Sequence, residues 1–198
     1  MNDTSMIRAV GAALLVTVAS QLFYIGVVSG SENEMLRPLT WFTELFAFLI
    51  VAILSFALAG RRTENAALWS AIGVSGVLNL LQVGMGLSMF RPAMEASETL
   101  PQLFAAILAG AFFLYFLAKL VLGIVAAAIG IGLLRRDGGL VKAGGLFSLL
   151  AGLAAFGLNL MAMVDAKAWT FPAGGAGTLA TALVGIGLVL AARRSGHS

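Results

Sequence analysis

The chain has 198 residues, of which 60% are hydrophobic and only 11% charged; this lies outside the range of water-soluble domains and points to lipid as the solvent. Its formal charge of +3 is too small and too dispersed for nucleic-acid binding, which needs Lys and Arg gathered on one face. With no cysteine and a single histidine at His197, the chain has neither disulfides nor thiolate metal sites, and no His pair to hold haem or zinc between helices. No cofactor, metal site or nucleic-acid partner is expected.

Crossing a hydrocarbon core takes about 20 helical residues. Apolar runs of that length predict spans at 7–29, 39–60, 66–90, 110–134, 140–163 and 173–192. The expected fold is an all-α integral membrane protein, a single transmembrane domain over 1–198 forming a compact bundle of six helices as three sequential hairpins.

In chain order, Arg8 opens the first run, and Val18-Ala19-Ser20 has the character of a signal-peptide cleavage site. The apolar stretch continues through residues 23–28, which suits a retained span better than a removed leader. The second run ends in Ala59-Gly60-Arg61-Arg62, the fourth in Leu133-Leu134-Arg135-Arg136 and the sixth in Ala191-Ala192-Arg193-Arg194. Hairpin topology explains these three Arg pairs without invoking an internal repeat. The fourth run starts early, after Pro101, and residues 102–109 are expected to form an interfacial helix that bends into the bilayer at Gly110.

Small residues recur along the later spans: Gly123 and Ala127 in the fourth, Gly144, Ser148 and Gly152 in the fifth, and Ala173, Gly177, Thr181 and Gly185 in the sixth. Such stripes let helix backbones approach. They are expected to serve packing within the bundle, with a homo-oligomer or membrane-protein partner as the alternative use. Gly174-Gly175-Ala176-Gly177 lacks the following Lys of a phosphate loop and is expected to cap the sixth span after Pro172. Met85, Met89, Met94, Met161 and Met163 are read as core filling rather than copper ligands.

Orientation follows from the basic residues, which short loops retain in the cytoplasm. An inside amino terminus places Arg8, Arg61, Arg62, Arg135, Arg136, Lys142, Arg193 and Arg194 within, and only Arg37, Arg91 and Lys167 outside. The expected arrangement is a multi-pass protein of the bacterial inner (plasma) membrane, with both termini cytoplasmic. Trp41, Phe90 and Trp169 would form an aromatic belt at the outer border.

Two charged residues fall inside the spans, Glu44 and Lys119. On an insertion scale each costs about 2.5–3.5 kcal/mol at the membrane centre, so such groups tend to face a bundle interior or a wet cavity. Tyr24, Asn159 and Thr178 lie at the same depth as this pair, each 15 to 17 residues from a basic border residue, and Gln82 lies 16 beyond Ala66, where its run begins; these intervals are roughly 22–26 Å along a helix. Gln21, Asn79 and Tyr115 lie about one turn away. The six residues Glu44, Lys119, Gln82, Asn159, Tyr24 and Thr178 are therefore the candidate ligand-binding set, a polar layer opening toward the outer face. A competing reading has Lys119 snorkelling to the headgroups, Glu44 in interfacial water and the amides tying helices together.

The pattern points to a small-molecule or ion binding or transport protein whose other contact is the lipid bilayer. The alternative is a non-enzymatic accessory or scaffold subunit of a membrane complex. An intramembrane enzyme using Glu44 or Asp165 as a base lacks an evident second catalytic group, so no catalytic residue is assigned.

Overall fold

The computed structural model describes residues 1–195, with side chains through Arg193; His197 lies outside the described residues. Six helices account for nearly all of the chain: α1 (Asp3–Gly26), α2 (Leu36–Arg61), α3 (Ala66–Glu95), α4 (Pro101–Leu134), α5 (Gly139–Val164) and α6 (Ala166–Ser195). All six are long and apolar enough to cross a membrane, and the described residues contain no strand. The chain is a multi-pass helical membrane protein.

Local chemistry sets the helix starts. The Asn2 side chain accepts the Ser5 amide hydrogen at 2.8 Å and so caps α1, supplying a partner for one of the free first-turn donors. Pro101 opens α4, where its missing N–H removes no helical hydrogen bond. From there α4 runs unbroken for 34 residues, so residues 102–109 are its first turns rather than a separate interfacial element.

The last helix begins earlier than its apolar run. Asp165 accepts the Ala168 amide hydrogen at 3.2 Å, and α6 follows at once, carrying Pro172 and the Gly174–Gly177 run inside the helix. The glycine run is thus not a cap, contrary to the expectation from sequence. An apolar window misses a polar first turn, and a proline is tolerated in a membrane helix where neighbouring groups take up the freed carbonyl.

Helices joined by such short connections must pack antiparallel. Each helix contacts its sequence neighbours, α1 also contacts α6, and α4 also contacts α6. Helices α1, α2, α3, α4 and α6 therefore close a ring, and α5 lies outside it in the groove between α4 and α6. Asp3 pairs with both Arg61 and Arg62 at 3.5 Å, so the start of α1 and the end of α2 share one border. These pairs are part-exposed and contribute about 1 kcal/mol at most.

The burial pattern is that of a protein in lipid. Phe46, Ile50 and Ile53 on α2 and Leu146, Leu150 and Leu153 on α5 point outward, where acyl chains accommodate them. Buried positions include Ser55, Ser75, Asn79, Ser148, Asn159 and Thr181. In lipid, association relies on close packing and interhelical hydrogen bonds. Ser75 accordingly donates to the Ala118 carbonyl at 3.1 Å and Ser148 to that of Ala126 at 2.8 Å.

The small-residue stripes are used within the chain. A methyl group at Gly123 would lie 2.8 Å from the Gly152 carbonyl oxygen, and one at Gly130 would lie 2.7 Å from that of Gly145. These pairs join α4 to α5. Gly11 and Gly185 meet in the same way between α1 and α6. On α5 the packed face carries Gly145, Ser148 and Gly152, whereas Gly144 is exposed with nothing near it. A strict four-residue interval drifts off the 3.6-residue helical turn, which is why it selected the wrong one of two adjacent glycines.

Candidate functional site

At the end of the ring opposite the arginine pairs, the helices enclose an open cavity of about 640 Å³. Four of the six candidate residues line it: Tyr24 from the last turns of α1, Glu44 from α2, Gln82 from α3 and Thr178 from α6. They meet because each stands at a similar distance from the common basic border on a different helix of the ring. Tyr115 of α4 and Gln21 of α1, one turn from that layer, line the cavity as well.

Lys119 sits behind the cavity wall and does not line it. It is fully buried, and its ammonium donates to Gln21 Oε1 at 3.0 Å and to Thr181 Oγ1 at 3.2 Å. The Tyr115 ring lies 5.5 Å from Nζ, within the range of a cation–π contact. Gln21 Oε1 also accepts from Thr178 Oγ1 at 3.0 Å, so one amide oxygen ties α1 to both α4 and α6. The stem of Lys119 crosses α6 where Gly177 has no side chain; a methyl there would lie 2.7 Å from Lys119 Cβ. Lys119 therefore does not snorkel to the headgroups. It is an internal cation held by three helices.

Glu44 is buried too, 7% exposed, and so does not stand in interfacial water. Ser20, whose hydroxyl reaches the Thr40 carbonyl at 3.4 Å, lies beside it. The Glu44 carboxylate and the Lys119 ammonium interact electrostatically without forming a contact ion pair. Contact ion pairs are found at the helix ends, Asp3 with Arg61 and Arg62 and Arg91 with Glu95. The arrangement is a buried dipole whose negative end borders the cavity and whose positive end lies in the protein.

Asn159 does not belong to this group. Its amide donates to the Ala155 carbonyl at 2.7 Å and across to the Ala173 carbonyl at 3.2 Å, which ties α5 to α6. Because α5 lies outside the ring, a residue at matching depth on that helix cannot reach the cavity. Replacing Asn159 with Leu is expected to cost about 0.6–1.7 kcal/mol in thermal unfolding and to leave the cavity's ligand affinity unchanged. A loss of affinity without a loss of stability would return Asn159 to the site. Asn79 is likewise internal, bonded to the Ser75 carbonyl at 2.9 Å.

The remaining walls are aromatic and aliphatic. Tyr24 stacks on Trp41 with centroids 6.3 Å apart, Trp41 meets Phe90 edge-on at 5.8 Å, and Phe90 meets Phe104 at 5.7 Å. Trp41 and Phe90, expected as interfacial belt residues, thus turn toward the bundle and line the cavity. Trp41 also covers Gly86, where a methyl would lie 3.2 Å from its ring. Thr181 and, apart from Tyr24, the aromatic lining were not among the candidates. The signal for Thr181 was present in the small-residue stripe of α6, since the one hydroxyl in that stripe faces the buried ammonium of Lys119.

No known protein family, curated protein or solved structure matches the chain. The site is therefore interpreted from its own chemistry.

Proposed function

We propose that this protein binds a small molecule or ion inside the membrane, in the cavity between α1, α2, α3, α4 and α6, and serves as a membrane binding or transport protein. The observation that carries this reading is the convergence of Glu44, Gln82, Tyr24 and Thr178 on one open cavity of about 640 Å³. A mostly apolar pocket with a few convergent polar groups is the usual form of a ligand site, and ionisable residues within a membrane commonly mark ligand or ion paths.

The distribution of basic residues supports both termini in the cytoplasm of a bacterial inner membrane, which turns the cavity to the outer side. An accessory-subunit role is supported less well, because the glycine stripes that would serve assembly are occupied within the chain.

Thermal unfolding of the purified protein, screened against amines, organic anions, metal cations and lipids, tests the reading. A bound ligand should raise the unfolding temperature, and Glu44→Gln or Gln82→Leu should reduce that rise. Stabilisation that survives both substitutions would place the ligand elsewhere and remove this cavity from consideration.

A further inference from the structure

We infer that the ligand of this cavity is an amphiphile with a cationic head, which enters sideways from the lipid between α1 and α6, sets its head near Glu44 and leaves its chain beside Gly175. The inference rests on the binding role proposed above and specifies its ligand class and its route.

The head is specified by charge and by rings. Among the described residues, Glu44 is the one ionisable carboxylate lining the cavity, and no Lys or Arg lines it. Lys119 is turned away, with its donors directed to Gln21 and Thr181. A charge brought into the cavity meets the carboxylate end of the buried dipole first, and the field of the nearer pole dominates at short range. An anion would find no donor of full charge there. Trp41, Tyr24, Phe90, Phe112 and Tyr115 also line the space, and aromatic faces attract organic cations, quaternary ammonium groups in particular.

The route is specified by what lies on the rim. Leu22 is 60% exposed, Ile25 61% and Phe171 85%. All three border the cavity while presenting apolar surface to the space that lipid occupies. Between them α6 carries Gly174 and Gly175. At Gly175 nothing lies within 4 Å of where a side chain would begin, so this stretch of the rim is bare backbone. At their other ends α1 and α6 are drawn together at Gly11 and Gly185. The opening is therefore confined to the end nearer the carboxylate. Apolar side chains face lipid on every helix; what sets this rim apart is the open backbone at Gly175 beside the cavity, which leaves room for an alkyl chain.

Isothermal titration on the full chain in nanodiscs, corrected against empty nanodiscs, would compare three probes of equal chain length: dodecyltrimethylammonium, dodecyl maltoside and dodecanoate. The cation is expected to bind about tenfold more tightly than the anion, a discrimination supplied by attraction to the Glu44 carboxylate. Glu44→Gln should abolish that preference. Glu44→Asp, which keeps the charge, should retain most of it and so separates loss of charge from loss of fold. Gly175→Trp, a substitution into open space, should weaken the dodecyl cation by a similar factor.

Equal or tighter binding of dodecanoate would overturn the assignment of the head, and full affinity in Gly175→Trp would overturn the route. Should none of the three bind while another small molecule stabilises the protein through Gln82, this inference fails and the binding role stands. If no small molecule acts through the cavity, both fail.

Discussion

Lys119→Met is expected to lower the stability of the protein by about 3 kcal/mol through the loss of two hydrogen bonds from a charged donor, seen as a fall in unfolding temperature of roughly 6–12 °C for a chain of this size. The side chain is fully buried and its ammonium joins Gln21 of α1 to Thr181 of α6 from its own position on α4. Methionine keeps most of the volume and removes the charge and the donors. Thr181 retains its own bond to the Gly177 carbonyl at 2.7 Å, and Gln21 keeps the Thr178 hydroxyl. The lost charged donors to Gln21 and Thr181 account for most of the change, and Glu44, 7% exposed, also loses the nearby positive charge.

The double variant with Glu44→Gln should recover part of the loss, because it removes the opposite charge that Lys119 no longer balances. A thermodynamic cycle over the four proteins measures this directly. Strict additivity of the two single effects would show that the two residues are not coupled, and the buried dipole at the cavity floor would have to be abandoned.

The second expected result concerns two glycines on one helix. Gly152→Ala should destabilise by about 1–3 kcal/mol, because the added methyl would lie 2.5 Å from both the Ala127 nitrogen and the Gly123 carbonyl oxygen. Both of those are backbone atoms of α4 and can move only if the helices separate. The α4–α5 contact is the most extensive in the bundle, so the strain spreads along it. Gly144→Ala, two turns earlier, should be neutral or stabilising by up to about 1 kcal/mol, the propensity difference between the two residues in a helix. Its position is exposed and open. Parallel thermal unfolding of the two variants tests the packing; equal effects would mean that α5 does not present the Gly145–Gly152 face to α4.

These two cases also separate what could be read from the residues from what could not. Six apolar runs of membrane-spanning length, each bounded by polar or basic residues, predict six helices, because an unpaired backbone has no partner in hydrocarbon and the helix is the local solution. The same reasoning located the charged pair Glu44 and Lys119 and the layer they share with Tyr24, Gln82 and Thr178, since distance along a helix is set by its rise per residue. Depth is a one-dimensional quantity and sequence reports it.

Rotation about the helix axis and order around the bundle are different quantities. Whether Lys119 reaches outward to the headgroups or inward to Gln21 turns on about 100° of helical phase, and hydrophobic periodicity cannot supply that phase when lipid-facing and buried surfaces are both apolar. The exclusion of Asn159 from the cavity required knowing that α4 touches α6 and so leaves α5 outside. Likewise, Gly145 rather than Gly144 meets α4 because of how α5 is rotated against its hairpin partner. Sequence by itself determined that this is a six-helix membrane protein and how far along each helix its polar groups stand; only the tertiary structure decided which of them meet, because lateral neighbours are chosen by close packing between helices that the chain order does not encode.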